Sequence, residues 1–251
     1  MLIMGILNVT PDSFADGGRH NDFDAAVARG LEMIAEGVDI IDIGGESTRP
    51  GADRVSEAEE VERTIPVITE LAKHGARISI DTMRASTAEA AIKAGASIIN
   101  DVSGGLADPE MLQTAARLNV PYIAMHWRGQ SKDMNSKAIY KDVVIDVISE
   151  LQVRITAALD AGIEVGNLII DPGLGFAKDA EHNWEIIDSI DSFVDVGYPV
   201  LIGASRKRFL GGDSPDEREQ ATIDLTKRLA ITGVWAVRVH SVKPHKEVLA
   251  Q

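Results

Sequence analysis

Short apolar runs alternate with longer amphipathic runs along the whole chain, and this alternation limits the fold more than any other feature. The first cycle is a predicted strand over residues 3–9 followed by a predicted helix over about 23–36. Such repetition is typical of a parallel sheet whose strands are connected by helices. The other predicted strands cover 38–43, 77–81, 97–101, 121–125, 168–171, 199–202 and 235–239, and a predicted helix follows each.

Eight strand–helix units predict a single α/β domain over residues 1–251, folded as a (β/α)₈ TIM barrel. The chain has 251 residues, close to the roughly 250 that this fold usually needs. No break in composition divides the chain into two parts. A doubly wound open sheet is the alternative, but the GxGxxG turn that usually follows its first strand is absent.

Two helix ends carry local signals. Ser56 precedes an amphipathic run, and Glu59 follows three residues later, which is a capping-box pattern. Gly95 ends the predicted third helix, because glycine readily adopts the left-handed conformation that closes a helix. We therefore expect the second helix to begin at about residue 56 and the third to end at about residue 94.

Charge and cysteine content exclude several classes of protein. Asp and Glu number 39 against 25 Lys and Arg, for a net charge of −14, which argues against an extended nucleic-acid surface or an anionic-membrane surface. The absence of cysteine excludes disulfides, thiolate zinc sites and a cysteine nucleophile. No apolar run approaches the roughly 18 to 20 residues of a membrane span. The first residues lack signal-peptide features, so we expect a cytoplasmic protein.

The loop after the second predicted strand is rich in small, hydroxyl and cationic residues. Gly44 and Gly45 end the strand, and Thr48, Arg49 and Pro50 follow. A guanidinium offers a fork of donors and a hydroxyl completes the hydrogen bonding, which suits an anionic or polar ligand. Taken alone, the segment is equally compatible with a solvated connecting loop.

Polar side chains recur where the predicted strands end. In barrel enzymes the chemistry lies at the C-terminal ends of the strands. In chain order these ends carry Asn8, Thr48 with Arg49, Asp81, Asn100 with Asp101, His126, Asp171, Ser205 with Arg206 and Lys207, and Arg238 with His240. The loops at the opposite ends have the composition of helix ends and turns. This asymmetry predicts a site at the C-terminal mouth of the barrel.

The polar residues fall into two chemical groups. Cations gather at the strand ends of an acidic chain, which indicates a phosphorylated or carboxylated small molecule; they are Arg49, Arg206, Lys207, Arg208, Arg238 and His240. Asp81, Asn100 and Asp171 supply the donors and acceptors that a nitrogen heterocycle needs. For each carboxylate alone, a helix cap or an ion pair is an equally good interpretation.

Asn8 and Asp16 are candidate oxygen ligands for a Mg²⁺ that sits mainly on substrate phosphates. His126 and His240 lack the HxH or HxxxH spacing of a zinc site. No nucleophile elbow is present. We interpret the remaining histidines as surface residues: His20, His74, His182 and His245.

Together, the strand-end segments resemble the dihydropteroate synthase family, a pterin-binding TIM-barrel family. MGILNVTPDSFADGG, DIGGESTRPGA, SIDT, IINDVSGG, IDPGLGF, GASRKRFLG and VRVHSV stand in the family's order over essentially the full chain. The resemblance implies that 6-hydroxymethyl-7,8-dihydropterin diphosphate condenses with 4-aminobenzoate in folate biosynthesis. The products would be 7,8-dihydropteroate and diphosphate, formed by an SN1-like substitution that Mg²⁺ assists. It also implies a homodimer and a sulfonamide target.

The resemblance further implies a role for each matched residue. The pterin would be bound by Asp81, Asn100, Asp171 and Lys207. The diphosphate would be bound by Thr48, Arg49, Arg238 and His240, with Ser205 nearby, and the metal by Asn8 with Asp16. The aminobenzoate would lie against Thr48, Pro50, Phe176 and Lys207. The catalytic set would be Asp81, Asp171, Lys207, Arg238 and His240.

Three positions depart from the family's common pattern. Ser241 stands where an aspartate is usual, which would change what orients His240. Arg208 and Ala15 each stand where serine is frequent, and Arg208 would place a cation near the aminobenzoate. These departures leave a non-catalytic pterin-binding paralogue as the alternative function. A pterin-using methyltransferase is a third hypothesis, which the loop motifs STRPG and SRK disfavour.

Overall fold

The computed structural model describes residues 1–10, 18–46, 55–130 and 134–250, and the side chains of all of these except 18–21, 134 and 135. The strands are β1 Leu2–Asn8, β2 Ile40–Gly44, β3 Ile78–Asp81, β4 Ile98–Asp101, β5 Tyr122–Met125, β6 Leu168–Asp171, β7 Leu201–Ile202 and β8 Ala236–Val239. The α-helices of this part are α1 Gly18–Ala35, α2 Glu57–Ala72, α3 Ala85–Ala94, α4 Met111–Leu118, α5 Val143–Asp160, α6 Ala180–Asp188, α7 Ile190–Val194, α8 Glu217–Leu229 and α9 Lys243–Leu249. None of these helices is long and apolar enough to cross a membrane.

All eight strands run parallel, in the order β6-β5-β4-β3-β2-β1-β8-β7. A parallel bridge between Ile170 and Val200 joins the two outermost strands, β6 and β7. The sheet therefore closes on itself, with the helices around it. The (β/α)₈ prediction is confirmed, and the open-sheet alternative is wrong.

The barrel interior changes character along the strands. At the N-terminal end it is filled by a cluster of buried apolar side chains: Met4, Ile40, Ile98, Ile123, Ile169, Leu201 and Ala236. Side chains two residues apart on a strand point to the same side. Two residues further on, four of these strands therefore present polar side chains to the same interior: Asp42, Asn100, Asp171 and Arg238.

Local chemistry explains where several helices begin and end. The Ser56 side chain accepts a hydrogen bond from the Glu59 amide at 3.2 Å, which confirms the predicted start of α2. Gly95 closes α3 with φ of +116°, as predicted. Helix α5 begins at Val143, because the Asp142 side chain caps it by accepting from the Ile145 amide. Helix α6 ends at Asp188, and Ser189 separates it from α7.

The prediction that His245 lies on the surface is wrong. Its side chain is fully buried under α8, where Nδ1 lies 2.8 Å from the Thr226 hydroxyl and Nε2 lies 3.6 Å from a Glu219 carboxylate oxygen. Burial lowers its pKa. The histidine therefore fastens α9 to α8 on the outside of the barrel, a role that its sequence neighbours do not indicate.

Candidate active site

A buried network of charges occupies the barrel mouth between β2, β3, β4 and β8. Arg238 donates from Nε to Asp42 Oδ2 at 2.6 Å and from Nη2 to Asp81 Oδ2 at 2.7 Å. Asn100 Nδ2 donates to the same Asp42 oxygen at 3.0 Å. One guanidinium thus bridges two carboxylates, and a carboxamide joins from the next strand. The structure brings together Asp81, Asn100 and Arg238, three of the predicted site residues.

The two buried carboxylates of this network share a single cation. Burial raises the pKa of Asp81 to about 7, although Arg238 alone would lower it, and the neighbouring Asp42 raises it further. At neutral pH, Asp81 can therefore both donate and accept a proton. A group of this kind matches the mixed donor and acceptor edge of a nitrogen heterocycle.

Asp42 is the site residue that sequence reasoning missed. It is fully buried in β2 and accepts two of the network's hydrogen bonds through Oδ2, while Oδ1 has no partner within the described part of the chain. A buried acceptor without a partner costs about 1 to 3 kcal/mol. The available signal was a lone aspartate in the apolar run IIDIG. We infer that Oδ1 is available to a ligand.

The loop between β6 and α6 forms another wall of the mouth. Asp171 ends β6, and its Oδ1 accepts a hydrogen bond from the Gly173 amide at 2.7 Å. Lys207 reaches this loop from the segment after β7 and donates from Nζ to the Leu174 carbonyl. Its ammonium lies 4.6 Å from the centre of the Phe176 ring. The predicted residues Asp171, Phe176 and Lys207 are therefore neighbours.

Burial shifts the titration of both charged groups in this wall. It raises the pKa of Asp171, against the opposing effect of the Gly173 amide and the Lys207 ammonium. It lowers the pKa of Lys207 to about 8, although Asp171 nearby favours the charged form. Each group is thus held closer to neutrality than in water, as is common at sites that bind and react.

An apolar patch adjoins the charged walls. Met83, Val102 and Met125 form a small buried cluster, and Phe176 and Trp127 pack against it. Aromatic and thioether side chains of this kind provide a flat surface for a planar ring. The mouth therefore offers both the polar edge groups and the apolar face that a heteroaromatic ligand requires.

His240 follows β8 and is oriented by Ser205. The Ser205 hydroxyl lies 2.9 Å from His240 Nδ1 and accepts from the His240 amide at 3.2 Å. Ser241 instead accepts a hydrogen bond from Arg206 Nη2 at 2.8 Å, and Glu219 binds Arg206 Nε at 2.6 Å. The unusual Ser241 thus contacts Arg206, while the orientation of His240 depends on Ser205.

Arg206 points away from the mouth, so the predicted cation cluster is divided. Arg206 has φ of +57°, and the Glu219 and Ser241 contacts hold it against α8 and the segment after β8. Arg208 begins a short 3₁₀ turn and is exposed. Among the predicted cations of the described residues, Lys207 and Arg238 are the two bound to the buried walls.

Four predicted site residues, Asp16, Thr48, Arg49 and Pro50, lie outside the described residues. Glu46 and Val55, the described residues on either side of 47–54, both contact the side chain of Arg84. Arg84 donates from Nη1 to Glu46 at 2.9 Å and from Nη2 to the Val55 carbonyl at 2.6 Å. It also pairs with the buried Glu60.

Asn8 is the last residue of β1 and pairs in register with Gly44 at the mouth. No group of three or more acidic, histidine or cysteine side chains suited to a metal occurs among residues 1–10, 18–46, 55–130 and 134–250. The Asn8 carboxamide oxygen is a donor of the kind that suits Mg²⁺, which keeps several waters and binds substrate phosphates.

Fold and site together define a class: a (β/α)₈ barrel protein that binds a small heterocyclic, anionic molecule at its C-terminal mouth. Residues 4–240 match the sequence model of a family described as pterin binding enzyme. The chain is 48% identical to the dihydropteroate synthase of Mycobacterium leprae over 257 aligned positions, which cover 98% of this chain and 90% of the relative. The chain belongs to the pterin-binding enzyme family and, within it, to the dihydropteroate synthases.

Solved structures agree with this assignment. The dihydropteroate synthase of Xanthomonas albilineans with 4-aminobenzoic acid superposes with a TM-score of 0.93 at 42% identity, over 99% of this chain and 90% of that one. The same enzyme in complex with 7,8-dihydropteroate gives a TM-score of 0.90 at 39% identity, over 99% and 91%. The predicted family is confirmed.

Proposed function

We propose that this chain condenses 6-hydroxymethyl-7,8-dihydropterin diphosphate with 4-aminobenzoate, forming 7,8-dihydropteroate and releasing diphosphate. The observation that carries the proposal is the buried Asp42–Arg238–Asp81 network, with Asn100 beside it, in a barrel of the dihydropteroate synthase family. Charges are buried at this density only when they are paired or have a ligand to bind. The complexes of relatives with 4-aminobenzoate and with dihydropteroate support the substrate class.

The pterin ring is bound by the polar interior layer. Asp81, Asn100 and Asp171 face its nitrogen edge, and Lys207 reaches over from the segment after β7. We add Asp42 to this set, because its unpaired Oδ1 can accept from a ring N–H. The ring thereby replaces water for several buried groups that would each cost free energy if left unpaired.

The diphosphate is bound on the opposite side of the reacting carbon by Thr48, Arg49, Arg238 and His240. Arg238 is anchored by Asp42 and Asp81, and Ser205 orients His240 through Nδ1. Cationic and hydrogen-bonding groups placed in advance stabilise the charge that develops on a leaving group. Carboxylates below the ring stabilise positive charge on the pterin side.

We propose Mg²⁺ as the cofactor, bound by Asn8 with Asp16 helping to order it. When bound, the ion neutralises diphosphate charge and so makes it a better leaving group. The Asn8 carboxamide at the end of β1 supplies one oxygen ligand from the described part of the chain. Substrate phosphates and water would supply the rest.

The substitution proceeds by an SN1-like route. The bond between the pterin methylene carbon and the diphosphate oxygen breaks, and the electron pair leaves with the diphosphate. The lone pair of the neutral arylamine then forms the new carbon–nitrogen bond, and the nitrogen loses one proton. Phe176 and Lys207, whose ammonium lies 4.6 Å from the centre of the Phe176 ring, are proposed to contact the arylamine, and the family resemblance adds Thr48 and Pro50 to this set. No covalent enzyme intermediate is needed.

We further propose that the protein acts in the cytoplasm as a homodimer and is inhibited by sulfonamides, as the family resemblance implies. Sedimentation equilibrium gives the oligomeric state directly. A mass of one 251-residue chain at all concentrations would exclude the dimer. Competition of a sulfonamide with 4-aminobenzoate in the turnover assay tests the inhibition.

Turnover tests the proposed function. Purified protein with both substrates and Mg²⁺ should release diphosphate and form dihydropteroate. Lys207→Ala should lower kcat/KM by about a hundredfold to a thousandfold, because it removes a cation that contacts two sides of the site. Calorimetric binding of the pterin diphosphate without turnover would instead identify a non-catalytic paralogue. Methyl transfer from a reduced folate to a corrinoid would identify the third hypothesis.

A further inference from the structure

Lys178 is a buried cation that has no place in the mechanism above. Its side chain is 7% exposed, and its Nζ lies 2.9 Å from His126 Nδ1, 3.1 Å from the Gly173 carbonyl and 3.1 Å from the Phe176 carbonyl. An ammonium has three N–H donors and no acceptor. Burial lowers the pKa of Lys178 to about 7, and the three contacts fit its protonated form, in which all three donors are used, two of them on the loop that carries Phe176.

His126 is fixed so that it can accept the Lys178 hydrogen bond. Its Nε2 lies 2.9 Å from Glu150 Oε2, and a carboxylate only accepts, so the ring proton is on Nε2 and Nδ1 is an acceptor. Burial and the Lys178 charge lower the pKa of His126 to about 4, which keeps the imidazole neutral. Arg128 binds Glu150 through two nitrogens, at 3.1 and 2.5 Å.

The network returns to the same loop on its other side. The Arg128 guanidinium lies 3.8 Å from the centre of the Tyr140 ring, and the Tyr140 hydroxyl donates to the Ala177 carbonyl at 2.9 Å. Lys178, before α6, and Tyr140, before α5, therefore hold the loop at three carbonyl groups. These are the carbonyls of Gly173, Phe176 and Ala177.

The loop needs such support because its backbone is unfavourable by itself. Gly173 and Gly175 have φ of +69° and +75°, which glycine tolerates, but Ala177 has φ of +49°. An alanine is strained in this region, because its Cβ comes too close to the backbone. Contacts from the rest of the protein must therefore over-determine the conformation, and the carbonyl hydrogen bonds of Lys178 and Tyr140 are such contacts.

We propose that Lys178 is a positioning residue for the reaction, which fixes the β6–α6 loop so that Phe176 meets the arylamine. Lys178 does not touch either substrate itself. The inference rests on the proposed function, since Phe176 is assigned to the aminobenzoate there. A positioning role through Phe176 predicts that loss of Lys178 raises KM for 4-aminobenzoate more than KM for the pterin diphosphate.

Lys178→Met tests the proposal, because methionine keeps the length of the side chain and removes all three hydrogen bonds. We expect KM for 4-aminobenzoate to rise about tenfold or more, while KM for the pterin diphosphate changes less than about threefold. Lys246→Met is the matched control, since Lys246 pairs with Asp39 at 2.6 Å at the opposite end of the barrel. Both KM values of that variant should equal those of the wild type.

Tyr140→Phe provides a milder variant in case Lys178→Met fails to fold. It removes only the hydrogen bond to the Ala177 carbonyl. We expect a smaller rise in the same KM. Equal rises for both substrates in either variant would overturn the proposal, because they would indicate a general loss of structure.

A double mutant tests whether Lys178 affects 4-aminobenzoate binding through Phe176 or independently of it. In a Phe176→Ala background, Lys178→Met should add less than about threefold to KM for 4-aminobenzoate, since the residue it positions is gone. Additive effects would contradict a positioning role through Phe176.

Hydrogen exchange tests the loop without any need for turnover. Lys178→Met should speed exchange of the Gly173, Gly175 and Phe176 amides, which are bonded within the loop or to Asn183. The amides of Ser103 and Gly105, bonded to Asp101, should exchange as in the wild type. Unchanged exchange at 173–176 would overturn the proposal even if the wild type proved inactive. An inactive wild type with the expected exchange would instead refute only the proposed function.

Discussion

The two ends of the barrel interior are built on the same strands but have opposite chemistry. The N-terminal layer is apolar and fully packed, with Ile40 and Ile98 both buried completely. The mouth layer, two residues further along the same strands, contains Asp42 and Asn100, and both are also buried. Burial in the barrel interior therefore does not by itself require an apolar residue, because polar and apolar side chains are buried there to the same extent.

The difference between the layers teaches which one serves stability and which one serves binding. Burying apolar area stabilises the fold by about 25 cal/mol per Å², whereas buried charges cost free energy unless they are paired. Asp42 and Asp81 are paired with one Arg238, and Asp42 Oδ1 has no partner in the described part of the protein. We propose that a bound ligand supplies the missing partner of this oxygen.

Replacing a side chain of the apolar layer should have the largest effect on stability and almost none on catalysis. We expect Ile98→Ala to lower the free energy of unfolding by about 2 to 5 kcal/mol, since it leaves a cavity in a fully packed cluster. Denaturant titration measures the loss, and diphosphate release should give an unchanged kcat. A loss of activity without a loss of stability would contradict the assignment of this layer.

Replacing Asp42 should weaken ligand binding rather than mainly lower the stability of the fold. Asp42→Asn removes one of the two charges that anchor Arg238 and changes an acceptor for the pterin. We expect the affinity for the pterin diphosphate to fall by about tenfold to a hundredfold, equivalent to roughly 1 to 3 kcal/mol. Calorimetric titration measures it. An affinity equal to that of the wild type would remove Asp42 from the site.

The pH dependence of the unfolding free energy tests the mouth layer, because a raised pKa of Asp81 fixes the direction in which stability changes with pH. The pKa of Asp81 is raised from 3.8 to about 7, so the folded protein binds its proton more tightly than the unfolded chain does. The stabilisation is complete below pH 3.8 and is lost as the pH rises through 7.

Relative to Asp81→Asn, the wild type should therefore lose unfolding free energy between about pH 4 and pH 7, because in this range Asp81 gives up a proton that the folded state binds more tightly than the unfolded chain does. Parallel urea titrations at several pH values measure this difference. A gap between the two proteins that stays constant, or that widens in favour of the wild type as the pH rises, would contradict a raised pKa.

The sequence allowed the strand pattern and much of the mouth layer to be predicted. Asp81, Asn100 and Asp171 each follow an apolar run, and parallel strands bring such positions to one end of a barrel. Asp42 was missed because its partner Arg238 lies 196 residues away, so nothing near it in sequence marks it as more than part of a strand. Lys178 was missed for the same reason, since His126 lies 52 residues before it.

Side-chain direction was also beyond the reach of the sequence. Arg206 and Lys207 are adjacent, yet one binds Glu219 and Ser241 while the other enters the site. The left-handed backbone of Arg206, with φ of +57°, produces this separation. Composition alone assigns both cations to one cluster. The roles of Thr48, Arg49, Pro50 and Asp16 remain predictions.

A crystal structure with the pterin diphosphate and Mg²⁺ bound tests the central claim most directly. The account predicts the pterin ring in the mouth, with its nitrogen edge within about 3.2 Å of Asp81, Asn100 and Asp171 side-chain atoms. It also predicts a ring N–H on Asp42 Oδ1, the acceptor that has no protein partner in the described residues. A ring bound away from these four side chains, with the Asp42–Arg238–Asp81 network unchanged, would contradict the account.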